Sequence, residues 1–164
     1  MKAMGLDTIL FCVQFVFGLF VYWLIAYLFA LPRLKLLPWK RALLILTVPH
    51  TFRFLGLYAL TVAAYNPTVS QDWANATAYG DLATQVFAVL TLIALHFDLG
   101  VGTVFAWVCH ILGIYAFLDS TYKIVATQMP IHLLYSAWFL PVFYVPVLIW
   151  SSIYAFRLLI RHRI

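Results

Sequence analysis

Arg53 lies near the middle of the apolar segment Leu43 to Tyr65, three positions after His50. A guanidinium does not lose its proton in hydrocarbon. At that depth it must meet a carboxylate, backbone carbonyls, water or an anionic ligand inside a helix bundle. Residues three apart share a helix face, so the sequence sets a fixed positive charge beside a ring able to exchange a proton. The chemistry this pattern allows is anion or proton handling. The structural alternative pairs Arg53 with a carboxylate, leaving His50 to hydrogen-bond between helices. Asp81 is the expected counter-ion.

His110 stands in a later apolar segment among Gly102, Ala106, Cys109, Gly113 and Ala116, which recur at steps of three and four. Small residues at that spacing let another helix approach closely, and a histidine among them serves as an interhelical hydrogen-bonding group. The same face could seat a flat cofactor. At about 1.5 Å of rise per residue, His50 and His110 fall at matched depths, roughly 10 Å and 14 Å from the same ends of their segments. Paired histidines are the usual axial ligands of a b-type haem. His50 and His110 as metal ligands, with Arg53 toward a propionate, therefore give an alternative reading, a haem-binding or quinone-interacting electron-transfer subunit. A third group, Asp81, Asp119 and His132, falls toward the opposite ends of the helices. Converging, these residues would hold a cation or hand protons inward; apart, they are ordinary helix-end chemistry.

Composition fixes the setting of these side chains. A chain of 164 residues that is 66% hydrophobic and 9% charged, with no glutamate, has too little polar surface to cover a water-soluble globule. The net charge of +5 resides in short clusters beside apolar segments, where membrane topology accounts for it and no nucleic-acid partner is needed. No apolar segment contains a lysine for a Schiff base. No G-x-S-x-G, H-E-x-x-H, Walker or multi-histidine motif is present. Cys12 and Cys109 have neither metal-ligand spacing nor a common depth. The reading is thus non-enzymatic.

About five segments are long enough to cross a bilayer: Leu6 to Leu31, Leu43 to Tyr65, Ala76 to Leu95, Val101 to Tyr122 and His132 to Leu159. The first is expected to remain as an anchor rather than be cleaved. Arg33, Lys35, Lys40 and Arg41 place the first connection in the cytoplasm, and Arg157, Arg161 and Arg163 place the C-terminal end there too. Four intervening crossings reconcile the two and put the N-terminus, with Lys2 and Asp7, outside. Pro49 in the second span and Pro141 with Pro146 in the fifth should bend or unwind their helices. Trp23, Trp39, Trp73, Tyr27, Tyr65, Tyr79, Tyr122 and Tyr135 read as interfacial anchors, and Asn75 as a helix cap.

These elements define an all-α, polytopic transmembrane helical bundle forming a single domain over residues 1–164, set in the bilayer of a bacterial cytoplasmic membrane. Its expected role is a transport-type or accessory subunit whose polar interior binds a proton, an ion or a small anionic or lipidic ligand. The thin core of so few helices favours a homo-oligomer or membership of a larger membrane complex.

Overall fold

The computed structural model describes residues 5–129 and 131–162, the side chains of 135–137 excepted. Lys2, Arg163 and the Tyr135 ring fall outside the described part. Every element among the described residues is helical. Five helices are long and apolar enough to cross a membrane: α1 (Leu6–Leu34), α2 (Trp39–Tyr65), α3 (Gln71–His96), α4 (Gly102–Ala126) and α5 (Leu140–Arg161).

Apolar runs mark the middles of these helices, and the polar first turns extend them. In α3 the cap is Ser70, whose Oγ accepts from the Trp73 N–H at 3.3 Å. Asn75 is not the cap expected from the sequence; it lies within α3 and accepts from Gln71 Nε2 at 3.2 Å, one turn back. At the fifth span the expected start also moves. Ile131–Trp138 forms a separate 3₁₀ segment, and α5 begins only at Leu140.

The prolines distort the helices where expected. Behind Pro49 the chain tightens into a 3₁₀ stretch, Val48–Leu57, inside α2. Around Pro141 it widens into a π turn, Leu140–Tyr144, at the start of α5. A further π turn, Ala26–Ala30 in α1, precedes Pro32, whose ring would otherwise meet the Leu28 carbonyl. These irregular stretches are not isolated from one another. Tyr144 Oη donates to the Pro49 carbonyl at 2.6 Å, joining the 3₁₀ stretch of α2 to the π turn of α5.

Contacts between connections sort the bundle into two ends. At one, Lys40 pairs with Asp98 and Trp39 stacks on His162 with ring centroids 5.1 Å apart. The 35–38 connection, the 97–101 turn and the end of α5 therefore lie together. At the other, His132 Nδ1 is 3.1 Å from Asp7 Oδ2, and Pro67–Gln71 share a surface recess with Thr127 and Met129. Each end carries its own apolar cluster. Leu43, Leu46, Leu95, Ala106, Tyr154 and Leu159 close the first; Ala59, Val62, Trp73, Met129 and Leu134 close the second. The buried polar side chains occupy the layer between.

Helix α1 stands apart in that it contains no buried residue. It lies along α5 and the segment before it, with Gly18 so near the Val142 carbonyl that a Cβ would stand 2.6 Å from the oxygen. The indole N–H groups of Trp138 and Trp150 reach Gln14 Oε1 and the Leu19 carbonyl at 2.7 and 2.9 Å. Among the anchors expected from the sequence, Tyr27, Tyr65, Tyr79 and Tyr122 are exposed. Trp73 corrects that expectation. It is buried, and its indole N–H donates to Ser120 Oγ at 3.0 Å.

Candidate functional site

The 3₁₀ stretch sets the site. With three residues per turn, positions i and i+3 eclipse one another, so Thr47, His50, Arg53 and Gly56 form one straight row. All four are buried. Arg53 turns its guanidinium across the bundle, donating from Nη1 to Asp81 Oδ1 on α3 and from Nη2 to the Gly113 carbonyl on α4 at 3.0 Å. Glycines make room for this pair. A Cβ on Gly56 would lie 2.8 Å from both Cβ and Cγ of Asp81, and one on Gly113 would lie 3.1 Å from Arg53 Nη2.

Behind Arg53 the network continues into α5. Arg53 Nε is 3.4 Å from His50 Nδ1. Because a guanidinium nitrogen only donates, that ring nitrogen is bare and the His50 proton resides on Nε2. Nε2 then donates to Ser151 Oγ at 3.0 Å, and Ser151 passes its own proton to the Leu148 carbonyl at 2.9 Å. Next to it, Ser152 Oγ lies 3.1 Å from His110 Nδ1 and 3.4 Å from His50 Nε2. His50 is thus a positioning residue for Arg53, already engaged at both nitrogens. His110 Nε2 is buried without a hydrogen-bond partner among the described residues.

The two histidine rings meet edge to face, their centroids 4.7 Å apart. An iron held between two imidazoles at bonds of about 2 Å needs roughly 6 Å between centroids, with the macrocycle in the gap. The arrangement does not fit a bis-histidine haem, and both rings are occupied by serines instead. The small face of α4 is likewise taken up by helix contacts. Gly102, Ala106, Cys109, Gly113 and Ala116 are all buried, and a Cβ on Gly80 of α3 would stand 2.9 Å from that of Ala116.

The third group of residues does not come together. Asp119 pairs with Lys123 one turn on, at 2.6 Å. His132 faces Asp7 at the bundle end, and Asp81 is held by Arg53. No common acidic pocket forms from Asp81, Asp119 and His132. What lies in that half of the bundle is a cavity of about 570 Å³, bordered by α1 through Phe11, Cys12 and Phe15 and by α4 and α5. Arg53 and Asp81 are its charged groups; Thr77, Ser120, Tyr144 and Gln128 add polar ones, and the remaining wall is largely apolar. Sequence reasoning missed Ser151, Ser152, Tyr144 and Ser120. Spacing in the sequence marks only the row Thr47, His50, Arg53 and Gly56, whose glycine packs against Asp81; it carries no signal for the three serines or Tyr144.

Membrane-length helices with an apolar cluster toward each end, and a charged pair between them beside a cavity, define a class of polar-cored helical bundles. The chain itself belongs to the family described as a domain of unknown function (DUF8737), whose model matches residues 10–160. No curated protein and no solved structure matches it.

Proposed function

We propose that the chain is an integral membrane protein, with α1 to α5 as its spans, that receives an amphipathic, lipidic ligand in the bundle interior. The observation that carries this reading is the cavity, whose long apolar wall ends on the Arg53–Asp81 pair. Its volume of about 570 Å³ falls among small-molecule sites, which run from about 300 to 1,000 Å³ and combine apolar walls with a few placed polar groups. A buried ion pair in a membrane-length bundle is costly to maintain and is the expected mark of a working interior. The role is transport-type or accessory, holding or passing the ligand without changing it. Basic residues at the 35–41 end support that end as cytoplasmic, with the N-terminus outside, in a bacterial cytoplasmic membrane.

The test is extraction of the purified protein followed by mass spectrometry of its bound amphiphiles. A near-stoichiometric species is expected in the wild type and should be lost from Ile149→Trp, which fills the cavity from α5. Wild-type protein carrying no more amphiphile than a correctly folded Ile149→Trp variant would overturn the reading.

A further inference from the structure

We infer that the cavity selects a ligand whose head group is uncharged and oxygen-bearing, as in a glyceride or a quinone, and rejects an anionic head. This inference rests on the ligand-binding reading above and narrows it.

Charge balance is the first argument. Among the described residues of the cavity wall Arg53 and Asp81 are the charged ones, and they neutralise one another. An arginine at mid-bundle invites the assignment of an anion site, yet here its charge is already matched. Bringing in a phosphate or carboxylate would leave one net negative charge against a largely apolar wall, which is unfavourable unless a further cation accompanies it. The described lining supplies none. A cationic head would meet the same difficulty with the opposite sign.

Hydrogen-bonding capacity is the second argument. A guanidinium carries five N–H groups. Its bonds to Asp81, Gly113 and His50 use three of them, leaving two for a ligand carbonyl or hydroxyl oxygen. Asp81 receives Arg53 on Oδ1 and has a second carboxylate oxygen to accept from a hydroxyl. Further along the wall, Thr77 and Ser120 share a 2.7 Å hydrogen bond, and the Thr77 hydroxyl retains acceptor capacity in either direction of that bond. Tyr144, whose proton goes to the Pro49 carbonyl, is likewise left as an acceptor. The wall thus offers both donors and acceptors without net charge, as a neutral oxygen-rich head requires. The apolar side chains of Phe11, Phe15, Ile124 and Leu134 then line the space for a tail.

Monoolein and oleoyl lysophosphatidic acid share the same chain and glycerol and differ by one phosphate, so comparing them isolates the head charge. Native mass spectrometry of the detergent-purified protein would measure their competition, with decylubiquinone as a separate arm. Alkylation of Cys12 by N-ethylmaleimide gives an independent readout, since Cys12 borders the cavity while Cys109 is buried. Expected is a preference of about tenfold or more for the uncharged probes, with Cys12 alkylation slowed by them. The stronger of monoolein and decylubiquinone tells a glyceride-type head from a quinone-type head. Asp81→Asn, which leaves Arg53 unbalanced, should reverse the preference toward the phosphate-bearing probe. If lysophosphatidic acid binds the wild type as tightly as monoolein, head-group selection fails while ligand binding stands. If none of the probes binds or protects Cys12, the ligand-binding reading itself fails. The wild-type comparison decides both questions even if Asp81→Asn does not fold.

Discussion

Arg53 and Asp81 behave as one unit, and their removal should show it. Deleting one partner of a buried pair leaves a charge without compensation, typically a loss of about 3 to 5 kcal/mol, whereas an apolar replacement of both is often close to neutral. Arg53→Gln and Asp81→Asn should each lower the unfolding free energy measured in mixed micelles by an amount in that range. Arg53→Met combined with Asp81→Leu should recover most of it while abolishing amphiphile binding. A double variant as unstable as the sum of the singles would mean that the residues act separately. His50 is subject to a different measurement, because its role rests on a tautomer. The ¹⁵N chemical shifts of its ring should show Nδ1 bare and Nε2 protonated, as donation from Arg53 requires; a protonated Nδ1 would break the link between the two residues. The pairing of Arg53 with Asp81 was legible in the sequence because carboxylates are so scarce in this chain. Ser151 and Ser152 were not, since serines are common in membrane helices and only the packing of α5 against α2 and α4 brings them to His50 and His110.

On the scale of the element, the 3₁₀ stretch of α2 does what an α-helix cannot. Three residues of α-helix turn through about 300°, so a row at spacing three drifts about 60° per step, and Thr47 and Gly56 would face opposite ways. At three residues per turn the row stays aligned, and Thr47, His50, Arg53 and Gly56 all point inward. Proline at position 49 starts this geometry, and the Tyr144 hydroxyl secures it by satisfying the Pro49 carbonyl. Tyr144→Phe removes this side-chain donor to the carbonyl and should cost about 0.5 to 1.5 kcal/mol, with Arg53 less firmly held. The expected signs are a lower melting temperature and weaker amphiphile binding together. Unchanged stability in Tyr144→Phe would show that the two irregular stretches are independent. Local distortion at Pro49 and Pro141 could be read from the chain; its kind could not. Whether a helix tightens or widens at proline depends on what donates to carbonyls around the distortion, and at Pro49 the donor, Tyr144, lies on another helix.

For the whole molecule, the alternation of apolar and basic segments revealed the number of long helices, but not how loosely α1 is attached or that a cavity lies beside it. Hydropathy records which residues avoid water without saying whether a neighbouring helix or lipid covers them, and α1 is mostly apolar while none of it is buried. The arrangement of ends, in contrast, follows from parity and is testable directly. Lys40 with Asp98 and Trp39 with His162 gather two connections and the end of α5 at one pole. Cysteines introduced there must then share a side of the membrane. In a Cys12→Ser background, with Cys109 protected by burial, Leu36→Cys and Leu99→Cys occupy exposed positions at that pole. Tyr65→Cys, 88% exposed as tyrosine, marks the opposite pole. A membrane-impermeant maleimide should label the first two only in inside-out vesicles and the third only in intact spheroplasts, since the basic cluster at residues 33–41 favours the cytoplasmic side. Labelling of Leu36→Cys and Leu99→Cys from opposite sides would require an odd number of crossings between them, contradicting α2 and α3 as a pair of spans. Labelling of all three from both sides would remove the bundle from the membrane altogether, and with it the apolar surroundings that give the charge balance at Arg53 its selective force.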